Sequence, residues 1–190
     1  HGNIFRWLRK KQYCESQGIK FIFACEVYLT EHLEPKERDN YHTVLIAKNQ
    51  SGVKELFSLI SMSSDEKHMY YKPRITFDEF LNISDNIIST SACLASPLHR
   101  LSQDNEYFEK LCNKYNFFEI QPHDYDEQRA YNVFLYELSK KYKKPLILGT
   151  DTHSSTQYKA ECRQIEKIAK NMEYANEDSF DLTFKTYDDL

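Results

Sequence analysis

Short apolar runs that alternate with helical patterns restrict this chain more than any other feature. The runs are Phe21–Tyr28, Tyr41–Ala47, Ile87–Cys93, Phe117–His123 and the stretch after Pro145 that leads through Leu146-Ile147-Leu148-Gly149 to Asp151. Runs of this length and content read as strands. Between them, Val53, Leu56, Phe57 and Ile60 share one face of a helix over Ser51–Ile60. Ile4–Gln17, stopped by Gly18, and Glu106–Tyr115, Glu127–Tyr142 and Thr156–Met172 behave likewise. This alternation predicts an α/β fold with a mostly parallel sheet, without separating a barrel from an open sheet. One connection differs. Thr30–Asn40 is short, charged and proline-containing, with no apolar period. A parallel crossover needs about a dozen residues, usually helical, so the Tyr41 strand is predicted to return antiparallel beside the first.

The strand ends carry the chemistry. Asp151 and His153 stand at i and i+2 after the last run, where an extended chain would point both side chains at one spot. Oxygen and nitrogen donors there suit zinc, manganese or iron. The plain alternative is an Asp that caps the next helix beside an exposed His. The pattern recurs, however, at Glu26, His42, Cys93 and His123. His42 opens its run rather than closing it, and the antiparallel return brings it to the same end of the sheet as Glu26. His1, followed by the turn signal Gly2-Asn3, reads as the last residue of a strand. Singly, Cys93 would be core, Glu26 would pair with a buried cation and His42 would be a satisfied core histidine. Together, at the strand ends where α/β folds build sites, they read as a multi-ligand metal site. His32, His68 and His99 lie in polar stretches and read as surface.

A chain of 190 residues fits one domain over 1–190 with a full core. Net charge −4 and a pI near 6.0 argue against a surface that grips nucleic acid by its phosphates. The basic clusters at Arg9-Lys10-Lys11 and Lys140-Lys141 read as solvated helix faces. Five cysteines, without C-x-x-C spacing, fit a reducing, cytoplasmic setting. No apolar stretch is long enough for a membrane span or a signal peptide. The chain begins on His in mid-motif and reads as a piece of a longer protein.

His1-Gly2-Asn3, Cys25-Glu26-Val27-Tyr28, Tyr41-His42 with Ala47-Lys48-Asn49, Tyr71-Lys72-Pro73-Arg74-Ile75, Ser91-Ala92-Cys93-Leu94-Ala95 and Thr150-Asp151-Thr152-His153 occur in this order. Together they resemble the polymerase and histidinol phosphatase (PHP) domain at the amino end of the alpha subunit of bacterial DNA polymerase III. The resemblance implies a distorted TIM-like barrel, here missing its first strands, with up to three zinc or manganese ions at one mouth. It places His1, Glu26, His42, Cys93, Asp151 and His153 on ligand positions and leaves His123 beside the site or on the surface. It also implies a role in DNA replication and metal-dependent phosphoester hydrolysis, as a 3′–5′ proofreading exonuclease, or else metal-stabilised structural support. The implied parent is a DNA-directed DNA polymerase that uses magnesium, with DNA, a proofreading exonuclease subunit and the sliding clamp as partners. The family's first ligand motif, His-x-His, would precede His1, so the chain by itself is expected to hydrolyse poorly and not to polymerise. A stand-alone PHP-type phosphatase is the alternative.

Overall fold

The predicted antiparallel return is present. The structure, a computed structural model, describes residues 1–34, 37–171 and 181–190. β1 (Ala24–Thr30) and β2 (Tyr41–Ala47) pair antiparallel, with Glu26 opposite Val44 and Tyr28 opposite His42. The described residues between them form no helix. Ahead of β1 lies α1 (Trp7–Ser16), shorter than its apolar pattern because the Asn3 side chain accepts from Phe5 N and Arg6 takes a left-handed backbone, φ 61°.

After β2, the Asn49 side chain accepts from Gly52 N and starts α2 (Gln50–Ser63), which buries Val53, Leu56 and Ile60 against the sheet. Two further strands follow, β3 (Met69–Tyr70) and β4 (Lys72–Thr76). β4 pairs parallel with β1, with Leu29 opposite Ile75. Thr76 and Glu79 close a reciprocal capping box that opens α3 (Phe77–Leu81). β5 (Ile87–Thr90) pairs antiparallel with β2. The sheet order is therefore β3-β4-β1-β2-β5, mixed rather than mostly parallel, because β2 runs against its neighbours.

α4 (Pro97–Arg100) and α5 (Phe108–Lys114) lead to β6 (Phe118–Ile120), then α6 (Asp126–Tyr142), β7 (Leu146–Leu148) and α7 (Gln157–Ala169), which is capped by Thr156. β6 and β7 pair parallel, and a bridge between Thr90 and Phe117 joins them to the first sheet. Among the described residues, β3 and β7 end this run of strands without pairing to one another. Met172, the expected end of the last helix, lies outside the described residues. β7 is half-buried at Leu146 and Ile147 and exposed at Leu148, although its apolar composition would suit a buried strand.

Leu29, Leu45, Leu56, Phe77, Phe80, Leu111, Phe118 and Leu135 are fully enclosed between the sheet and the helices. In this direction of pairing, the end of β5 lies beside the start of β2, and β6 and β7 run parallel to β5. That arrangement gathers the segments that carry the site. Helix α7 contributes little to the core and leaves Tyr158, Ile165 and Ile168 exposed. No helix among the described residues is long and apolar enough to cross a membrane.

Candidate metal centre

Strand register builds the first half of the site. Glu26 and Tyr28 are two residues apart in β1 and share a face, and His42 stands directly across from Tyr28. The His42 ring packs on Tyr28 at 4.9 Å between centroids and reaches diagonally to Glu26, Nδ1 to Oε1 2.9 Å. Glu26 Oε2 lies 2.8 Å from His1 Nδ1 and accepts from the Tyr28 hydroxyl at 3.3 Å. Gly2 makes this approach possible. Its N–H donates to Glu26 O, its φ is +67°, and an added Cβ would come within 2.5 Å of Pro73 Cγ.

Cys93 joins from the loop after β5. Ala92 takes φ 55° and ends the extended chain there, and His42 N donates to Ala95 O. Cys93 Sγ stands 3.5 Å from His42 Nδ1. Donor atoms of Glu26, His42 and Cys93 all lie within 4.8 Å of one another. A carboxylate, an imidazole and a sulfur at that separation fit a divalent ion of the zinc class.

Asp151 and His153 line the same cavity, of about 700 Å³, as do His1, Glu26, His42 and Cys93. They arrive by a turn rather than by strand alternation, because Asp151 has φ 46°. His153 Nδ1 sits 2.6 Å from the carbonyl oxygen of Asp151. A carbonyl only accepts, so that nitrogen is the donor and Nε2 keeps its lone pair. The His1 and His153 rings lie 5.3 Å apart. His123 also lines the cavity and is buried.

A family model described as "PHP domain" matches residues 1–123. This chain belongs to the PHP domain family. The alpha subunit of DNA polymerase III of Treponema pallidum is 32% identical over 173 residues, which is 83% of this chain and 15% of that protein. The corresponding subunit of Borreliella burgdorferi is 32% identical over 168 residues, 80% of this chain and 15% of the relative. A PolC-type DNA polymerase III of Clostridium perfringens is 29% identical over 169 residues, 78% of this chain and 11% of the relative. The PHP domain chain thus spans about 15% of the length of the first two of these relatives.

The cavity of this PHP domain is crowded with acidic groups. Burial pushes the Cys93 thiol up to about 12, and the Asp151 carboxylate adds to the shift. Burial also raises Asp151, helped by the charge of Glu26. Burial raises Glu26 as well, but the hydrogen bond and charge of His42 outweigh it and hold that carboxyl below its usual range. A cation placed among these groups would favour their ionised forms.

Several residues of the PHP domain went unsuspected in its sequence. Tyr28 was accessible to the alternation rule, being two residues from Glu26 on the same strand. Glu119 was not. It accepts from Thr90 Oγ1 at 2.6 Å and from Gln121 Nε2 at 3.1 Å, behind Gly149. His99, expected on the surface, is half-buried and lines the cavity, with its ring on Tyr131 at 4.7 Å. His68, also expected on the surface, is 4% exposed. Its Nδ1 meets Asp65 at 2.7 Å and its Nε2 meets Glu79 at 2.9 Å, so two carboxylates from separate segments draw it inward. The exposed His32 fits its expectation.

Proposed function

We propose that this PHP domain is a divalent-metal phosphoesterase that trims the 3′ ends of DNA within a replicative polymerase. The observation that carries this reading is the Glu26, His42 and Cys93 donor set, within 4.8 Å, in one cavity with His1, Asp151 and His153. Zinc or manganese suits the mixed nitrogen, oxygen and sulfur donors. When bound, such ions neutralise phosphate charge and activate water for attack on phosphorus.

The chain's own side chains do the positioning. Glu26 presents one oxygen to each of His1 and His42, and the Tyr28 hydroxyl fixes the carboxylate plane. The Asp151 carbonyl sets the His153 tautomer so that Nε2 is the ligating nitrogen. Lys72 and Arg100 at the cavity wall offer cations to a phosphodiester. Tyr28, Leu94 and Leu182 add apolar surface to the cavity wall.

The similarity to DNA polymerase III alpha subunits supports a role in DNA replication, and the reading includes a cytoplasmic setting with DNA, a proofreading exonuclease and the sliding clamp as proposed partners of the whole polymerase. That polymerase would use magnesium for nucleotide addition in other domains. A second reading, a metal that only ties the fold together, is favoured by one observation: the donor triad joins β1, β2 and the loop after β5. The deciding experiment measures metal content, then hydrolysis of single-stranded DNA and of bis(4-nitrophenyl) phosphate with manganese or zinc, in this chain and in the whole polymerase. Metal uptake with hydrolysis in the whole polymerase supports the phosphoesterase. Uptake with a higher melting temperature and no hydrolysis in either form replaces it with the structural reading.

A further inference from the structure

Part of the cavity wall lies outside the metal centre and is polar in an unusual way. Gln121, just after β6, and Gln128, in the first turn of α6, both line the cavity and are 3% and 1% exposed. Asn132 sits between them. Gln121 N donates to Asn132 Oδ1 at 3.2 Å, and Asn132 Nδ2 donates to Gln121 O at 2.7 Å. The backbone of Gln121 therefore fixes which way the Asn132 amide points. Asn132 Oδ1 also accepts from Gln128 Nε2 at 2.9 Å, which in turn fixes the Gln128 amide. Gln128 Oε1 is left as an enclosed acceptor without a partner among the described residues. An enclosed acceptor costs stability unless something donates to it. The orientation is forced by a backbone, so an amide flip cannot relieve it.

A lone amide oxygen is too weak to hold a cation, so its partner is an O–H or N–H donor. The cavity volume of about 700 Å³ admits a nucleotide, and Arg100 on the same wall suits its phosphate. A sugar hydroxyl is the donor present whatever the base, which fits an enzyme that does not read sequence. We propose that this wall is a nucleotide subsite in which Gln128 Oε1 accepts the hydrogen of the free 3′-hydroxyl on the terminal nucleotide. The proposal rests on the phosphoesterase reading and deepens it: recognition of that hydroxyl confines the site to chain ends and excludes interior phosphodiesters.

The test compares thymidine 5′-monophosphate with its 3′-deoxy analogue by calorimetry on the full chain, with and without manganese, and measures metal uptake on the same samples. One hydrogen bond to an otherwise unpaired buried acceptor gives the hydroxylated nucleotide an advantage of about tenfold in Kd. Gln128→Met, which keeps the length of the side chain and removes the acceptor, abolishes that advantage and leaves metal uptake unchanged. Equal affinity for the two nucleotides, binding of neither, or a preference that survives Gln128→Met overturns the subsite. If Gln128→Met fails to fold, Gln128→Asn serves instead: it keeps an amide but draws the acceptor back by one methylene and loses the preference, and a preference that survives there overturns the proposal. Absence of metal uptake counts against the phosphoesterase alone, because the hydroxyl comparison is also read without metal.

Discussion

Substituting Gly149 by Ala isolates the packing of Glu119 behind the candidate metal centre. A Cβ at Gly149 would stand 2.0 Å from Glu119 Oε1 and 2.6 Å from its Cδ, where ordinary contact begins near 3.4 Å. The carboxylate must therefore retreat by roughly 1.4 Å. Its bonds from Thr90 Oγ1 at 2.6 Å and Gln121 Nε2 at 3.1 Å do not both survive such a shift. Losing one hydrogen bond to a charged group costs about 1.5–3 kcal/mol, and an off-rotamer side chain adds about 0.5–1.5 kcal/mol. The reduced freedom of the unfolded chain returns about 0.4–1 kcal/mol. The net loss is about 1–4 kcal/mol, or a melting temperature lower by about 2–16 °C for a domain of this size. Urea denaturation of Gly149→Ala, Glu119→Ala and the double variant at pH 8 measures it. The clash disappears when Glu119 is shortened, so the pair couples by about 1 kcal/mol or more. A fall in melting temperature below about 2 °C, or strict additivity in the double variant, would refute the reasoning.

Cys93→Ser, which exchanges a sulfur donor for a weak oxygen, lowers zinc affinity by at least about tenfold, and a chelator then lowers the melting temperature of the natural chain more than that of the variant; equal sensitivity to chelator would show that Cys93 holds no metal. His68 gives a pH dependence. Burial opposes its charged form, but the hydrogen bonds it donates to Glu79 and Asp65 raise its pKa above the ordinary value in the folded state. The stabilisation is therefore full below about pH 6.5, the unfolded value, and is lost as pH rises through the higher folded value. In His68→Gln, denaturation midpoints should stay flat across that window, and a slope like that of the natural chain would be contrary evidence. Tyr115→Phe removes the hydroxyl paired with Thr43 Oγ1, both fully buried. Denaturation should show a loss of about 1–3 kcal/mol, the cost of a buried hydroxyl left unpaired, and a loss under about 0.5 kcal/mol would mean that the pair adds nothing.

The legible part of the sequence was its long-period pattern. Helices with sustained apolar faces, such as α2 and α6, fall within a few residues of their expected bounds. The hairpin return of β2 followed from the lack of a crossover segment. Short elements were hidden. β4 carries Lys72, Pro73 and Arg74 and is not among the apolar runs, yet Arg74 is 1% exposed and donates to the backbone carbonyl of Glu37 at 2.7 Å. Its cationic side chain is satisfied by backbone, which no residue count foretells. His68 was misjudged for a related reason: Asp65 is a local neighbour, but Glu79 meets it only once α3 has folded back. The strand-end rule brought six separated residues to one cavity, but for Asp151 and His153 the geometry behind it is a left-handed turn.

That turn limits how the protein can drift over evolutionary time. Asp151 holds φ 46° in the cavity wall, and Ala92 holds φ 55° next to Cys93. Asn, Asp and Gly tolerate this region, whereas β-branched residues do not. A lineage that lost the carboxylate at position 151 would therefore keep Asn or Gly there rather than wander freely. The backbone would preserve an outline of the site after its chemistry had gone.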